Sequence, residues 1–88
     1  MQREVVITRR GHMDVIADIL SATKEGAKKT QIIFRARLNN GQCEKYLSIM
    51  MRKGLIQLEK RRKHVLYCIS DKGSKFLREY HALSEFLT

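Results

Sequence analysis

Eighty-eight residues with 43% apolar content suffice for one folded domain, and 18 Lys and Arg against nine Asp and Glu give that domain a net charge of +9. A domain of this size buries only roughly 60 to 65 per cent of its unfolded surface, so its stability margin is modest and a partner subunit would help it. The two cysteines lack a second pair or a nearby Cys/His cluster, which excludes a disulfide framework and a zinc site. The apolar runs are too short for a membrane span, and no nucleophile beside a base, carboxylate pair or phosphate loop points to an enzyme or a cofactor.

The first ten residues, MQREVVITRR, lack the apolar core of a signal peptide, so a cytoplasmic location is expected. Within them EVVIT is β-branched but short, and residues 1–10 read either as an N-terminal arm or as an edge strand. After Gly11 a first helix is predicted from His12 or Met13 to Lys24, with Met13, Ile16, Ala17 and Leu20 on one stripe and Val15 and Ile19 beside it. Gly26 ends it. Thr30 is the predicted cap of a second helix over Gln31 to Leu38, and Asn39, Asn40 and Gly41 form a polar turn. Asn40 is then expected to cap a third helix that carries Cys43, Tyr46, Leu47, Met50 and Met51, ends near Lys53 and stops at Gly54. Helix, short turn, helix is the helix-turn-helix pattern.

Beyond Gly54 the apolar period changes from helical to alternating. Leu55 to Lys60 and Val65 to Ile69 read as strands of a hairpin with a basic tip at Arg61, Arg62, Lys63 and His64. Ser70 or Asp71 can cap a last helix from Lys72 to Leu87, despite Gly73 in its first turn. On that helix Phe76, Tyr80, Leu83 and Leu87 form a stripe flanked by Leu77 and Phe86; packing onto the helix's own domain and pairing with a second copy both account for it. The dimerisation candidates are Tyr80, Leu83, Phe86 and Leu87. The fold class is therefore α+β and mainly helical, a winged helix-turn-helix over residues 11–70 followed by a C-terminal helix over 71–88.

The charge is unevenly placed. Residues 24–37 carry +4 and residues 52–64 carry +5, residues 1–10 carry +2 against −2 for residues 11–23, and residues 38–51 and 65–88 are each neutral. Clustering on the two-helix unit and the segment after it favours a polyanion partner over a merely soluble surface. On the third helix Cys43, Leu47, Met50 and either Tyr46 or Met51 take inner positions. Gln42, Lys45, Ser48, Ile49 and Arg52 are left facing outward, and Gln42, Lys45, Ser48 and Arg52 are the base-readout candidates. Gln can bond adenine bidentately, Lys reaches guanine acceptors, and Ser48 can bond a base or a phosphate. Lys28, Lys29, Thr30, Arg35 and Arg37 are candidates for gripping phosphates, and Lys60, Arg61, Arg62 and Lys63 for a wing on the backbone or an adjacent minor groove. Phe34, Tyr46, Tyr67 and Tyr80 are all expected in the core, which leaves no aromatic platform for single strands. Cys43 and Cys68 are expected as buried thiols, and His12, His64 and His81 on the surface.

The wording of the sequence points the same way. RRGHMDVIADILSATKEGAKKTQIIFRARLNNGQCEKYL, then MRKGLI, then LYCISDKGSKFLREYHAL closely resemble small basic archaeal winged-helix DNA-binding proteins, the family that includes the ten-a chromatin-type proteins. The likeness spans about Arg9 to Leu87, and GAKKTQI, KYL, RKGLI and ISDKG are its most specific pieces, in order and spacing more than singly. The resemblance implies double-stranded DNA binding, as a transcriptional regulator or a chromatin-type architectural protein. It also implies no catalysis, no cofactor, a homodimer through the C-terminal helix, and a nucleoid-associated place in the cytoplasm. An RNA-binding winged helix and a protein-docking module are the alternatives.

Overall fold

The structure, a computed structural model, describes residues 11–87, so the arm or edge strand expected over residues 1–10, and Thr88, lie outside the described residues. The element order is α1 (His12–Ala22), α2 (Lys29–Ala36), α3 (Asn40–Arg52), β1 (Ile56–Arg61), β2 (His64–Ile69) and α4 (Asp71–Leu87).

Each of the first three helices starts in the same way. The side chain of its third residue turns back to accept the amide of the residue before the helix: Asp14 from Gly11 (3.1 Å), Gln31 from Lys28 (2.8 Å) and Gln42 from Asn39 (3.0 Å). This satisfies one of the donors that a helix start leaves free. At α3 the bond is reciprocal, because Asn39 Oδ1 accepts from Gln42 N at 2.7 Å. The caps therefore differ from those predicted. Thr30 lies inside α2: Ala27 is fully buried and paired with Tyr67 through both backbone groups, Lys28 is the N-cap residue, and the helix begins at Lys29. Asn39, not Asn40, caps α3, so Asn40 and Gly41 form its first turn. α1 and α2 also end earlier than expected, at Ala22 and Ala36. Thr23 closes α1 and is itself fully buried, its hydroxyl donating to Leu20 O at 3.0 Å and its carbonyl accepting Ile69 N at 3.0 Å. Arg37 closes α2 in the left-handed region (φ 55°).

Ile19, Leu20, Ile32, Met50, Thr23 and Cys43 are the largest fully buried side chains, and Leu47, Leu55, Ile56 and Leu77 complete the core around them. On α1 the buried arc is centred on Val15, Ile19 and Leu20, which leaves Met13 exposed and Ile16 half-buried. The hairpin is tighter than the sequence suggested. Ile56 pairs with Ile69 and Arg61 with His64, so only Arg62 and Lys63 form the turn, and Arg62 adopts the left-handed conformation (φ 53°).

α4 is joined to the body at its first turn. Ser70 Oγ accepts Gly73 N at 3.0 Å and donates to Gly54 O at 2.5 Å, while Lys72 Nζ donates to Lys53 O at 2.7 Å, so one segment caps α4 and ties down the exit of α3. Leu77 is buried, Phe76 and Tyr80 pack on the core, and the Tyr80 hydroxyl donates to Asp14 of α1. That bond, with burial second, raises the Tyr80 pKa above its ordinary value of 10.0. The second half of the helix is different: Leu83, Phe86 and Leu87 are 60%, 87% and 84% exposed.

Candidate nucleic-acid interface

Helix α3 divides as its spacing predicts except at Ile49, expected to face outward and found half-buried. Cys43, Leu47 and Met50 are buried, Tyr46 and Ile49 are half-buried, and Gln42, Lys45, Ser48 and Arg52 are exposed. At 100° per residue Gly41, Lys45, Ser48 and Arg52 form one narrow outer stripe, with Gln42 and Ile49 on one flank and Glu44 and Met51 on the other. Two grooves border the stripe. One, of about 430 Å³, is lined by His12, Gly41, Gln42, Lys45, Tyr46 and Ile49, and the Tyr46 hydroxyl and His12 Nδ1 are joined across it at 2.6 Å. The other, of about 320 Å³, lies between α3 and the hairpin and is lined by Lys29, Glu44, Leu47, Ser48, Met51 and Tyr67.

The basic candidates fall into groups that sequence spacing did not separate. Lys29 is ion-paired with Glu44 of α3, and this hydrogen bond is the main reason its pKa is raised. Arg61 donates to Glu59 at 3.1 Å, which raises the Arg61 pKa and lowers that of Glu59, and its guanidinium lies close to Gly26. Glu59 also accepts from the Cys68 thiol at 3.1 Å, and burial, then Glu59, pushes that thiol pKa up. In this register Arg61 shares a face with Glu59 and Cys68, whereas Lys60 shares the opposite face with Leu58, Val65 and Tyr67, the last of which borders the α3 groove. Lys60, Arg62 and Lys63 are exposed. Lys28 and Thr30 are exposed at the start of α2. Arg35 lies in a separate cleft with Ser21, Ala22, Lys24, Glu25 and Gly26, at the end of α1 rather than beside α3.

One aromatic expectation is overturned: Phe34 is 83% exposed, beside Arg35 on the outer side of α2. The signal was present in the run Ile32-Ile33-Phe34, because three consecutive helical residues span 200° and only Ile32 and part of Ile33 can face one core. Tyr46, Tyr67 and Tyr80 are half-buried and packed on the core as expected. Cys43 and Cys68 are buried free thiols, and all three histidines are exposed.

Two helices joined by a short turn, the second with its outer face free, followed by a β-hairpin with a basic turn, define a winged helix-turn-helix. A winged helix-turn-helix family model matches residues 9–88, and the chain belongs to that non-enzymatic family. Among solved structures it is similar to Sso10a-2, a DNA-binding protein from Sulfolobus solfataricus, with 26% identity over 89% of this chain and 85% of that one and a TM-score of 0.75. This bears out the resemblance to small archaeal winged-helix proteins. A Listeria innocua protein of unknown function shares the fold at 20% identity and a TM-score of 0.72, over 94% of this chain and 59% of that one. So does the zinc-dependent MarR family transcriptional regulator AdcR, at 13% identity and a TM-score of 0.65, over 90% of this chain and 56% of that one. No curated protein matches the chain. None of the helices in the described residues is long and apolar enough to cross a membrane.

Proposed function

We propose that this protein binds double-stranded DNA, with α3 in the major groove and the Arg62-Lys63 turn on the backbone or an adjacent minor groove. The observation that carries this reading is the exposed stripe of Lys45, Ser48 and Arg52 on the outer face of α3, in a helix-turn-helix whose wing ends in two exposed basic residues. Lys28 at the start of α2, Arg37 between α2 and α3, and Lys60 on the hairpin add positive charge, while Arg35 stands apart at the end of α1. Similarity to a DNA-binding protein and to a transcriptional regulator supports the same reading, as does a net charge of +9. A transcriptional regulator or a chromatin-type architectural protein, held with DNA in the cytoplasm, fits this charge and size. Phe34 is a single ring on α2, whereas binding of single strands by stacking needs aromatic side chains under successive bases, so duplex DNA is the better ligand. Anisotropy titration of a labelled duplex over several salt concentrations tests the proposal, beside RNA of matched length. Log affinity is expected to fall linearly with log salt, by about 0.9 for each phosphate neutralised. A flat salt dependence, or preference for the RNA, would count against it.

The protein further acts as a homodimer joined through α4. Leu83, Phe86 and Leu87 leave an apolar end that the other described residues do not cover, whereas Tyr80 is held by Asp14 and borders the contact from the inside. A Leu83→Glu/Phe86→Glu double variant is expected to sediment at the 10.3 kDa monomer mass with unchanged helicity, against twice that for the parent. Parent and variant of equal mass would dismiss this interface.

A further inference from the structure

We infer that α3 reads guanine, on the strand that it faces, in preference to adenine or cytosine. The inference rests on the DNA-binding reading above and concerns the donor and acceptor character of the outer face of α3. Gln42 has the right chemistry for adenine, which needs a side-chain oxygen and NH₂ placed side by side. In this fold the oxygen is tied back to the start of its own helix, accepting Asn39 N at 3.0 Å, while Gln42 N is held by Asn39 Oδ1 at 2.7 Å. The orientation of the amide is dictated by that bond, because a backbone N–H can only donate. Gln42 is left with its NH₂ as the group free to meet a base.

The neighbouring positions are of one kind. Lys45 and Arg52, on the central stripe, carry donors only, and Ser48 between them can donate. Glu44 is the one carboxylate on α3, and Lys29 from α2 holds it in an ion pair on the flank toward the hairpin. The central face therefore offers mainly donors, with the Ser48 hydroxyl, which can also accept, as its one acceptor outside the Glu44 ion pair. Guanine presents two acceptors in the major groove, N7 and O6. Cytosine presents only its amino donor, and adenine sets its amino donor beside N7. A donor face meets guanine with both groups satisfied and meets cytosine with donor against donor. Thymine is tolerated through O4, with its methyl toward the half-buried Ile49 and Tyr46.

Competition anisotropy with duplexes of one length and flanking sequence, varied only at the centre, tests this. A duplex with G·C pairs at the centre, which offers guanine on one strand or the other, is expected to bind about tenfold tighter than one with A·T pairs there, within the range of a good base contact. Replacing those guanines with 7-deazaguanine, which keeps base pairing and removes N7, should abolish most of that ratio. Gln42→Glu keeps the acceptor that caps α3 but loses the NH₂, and Lys45→Ala removes a donor; each is expected to shrink the guanine ratio, whatever it does to binding of all sequences alike. Equal binding of all centres, or an adenine preference that Gln42→Glu removes, overturns the guanine inference while salt-dependent duplex binding keeps the wider reading intact. Failure to bind any duplex overturns both.

Discussion

Replacing Gly73 with alanine is expected to destabilise the domain by about 3 kcal/mol, the upper end of the usual overpacking penalty, although alanine is the better helix former by about 1 kcal/mol. Gly73 is buried in the first turn of α4, and a Cβ built there would lie 2.2 Å from Leu55 O, 3.0 Å from Ile69 Cγ1 and 3.1 Å from Leu20 Cδ2. The first of these is backbone and cannot move aside by changing rotamer. Leu55 is held by its own N–H to Met50 O at 2.9 Å, and its carbonyl accepts Ser70 N at 3.0 Å. Relief requires α4 to lift, which pulls on the Ser70 and Lys72 bonds that close α3. A domain of 88 residues has about 4 to 13 kcal/mol of stability in total, so the midpoint should fall by roughly 12 to 24 °C. Thermal or urea unfolding of the variant measures it. A midpoint that is unchanged or raised, as for an ordinary helical Gly→Ala exchange, would show that α4 does not need so close an approach.

Gly73 also marks the boundary of what the sequence makes legible. The switch from helical to alternating apolar spacing at Gly54 is a local signal, and it places α3, the hairpin and α4 in the right order. The inner positions Cys43, Leu47 and Met50 follow from spacing alone, since a helix with one buried side must bury residues three and four apart. A glycine inside a helix pattern, by contrast, reads only as a weak helix former, because the carbonyl that forbids a Cβ comes from Leu55, far along the chain. The caps were partly within reach. Asn39 and Gln42 have the spacing of a capping box, and that spacing separates Asn39 from its neighbour Asn40.

The charges show the same limit. Sequence places Arg61, Arg62 and Lys63 together as one basic run, but alternation along a strand sends Arg61 to the Glu59 side and Lys60 to the other, and the tight turn holds Arg62 and Lys63. Lys29 and Glu44 are 15 residues apart and meet only because α2 crosses the start of α3. Such pairings decide which charges are available to a polyanion. They are tertiary facts, invisible to a count of charges per segment.

Removing the three free wing charges is expected to weaken binding to every duplex by roughly 500-fold at 0.1 M salt, and to reduce the log–log salt slope by about 2.7, since each neutralised phosphate contributes about 0.9. The variant is Lys60→Ala/Arg62→Gly/Lys63→Ala. Glycine is chosen at 62 because Arg62 stands at φ 53°, where a side chain costs about 1 kcal/mol or more and glycine costs little. The fold should therefore be at least as stable as the parent, so lost affinity cannot be traced to unfolding, and a melting curve checks this directly. Arg61→Ala is the matched comparison: it removes one charge from the same hairpin, but one already paired with Glu59, and its salt slope should stay close to that of the parent. If Arg61→Ala lowers the slope as far as the triple variant does, the assignment of wing faces is wrong. A slope untouched by the triple variant would remove the wing from the interface altogether. The ratio between guanine-centred and other duplexes should meanwhile stay constant in the triple variant, because a backbone contact adds the same free energy to every sequence while donors on α3 distinguish bases.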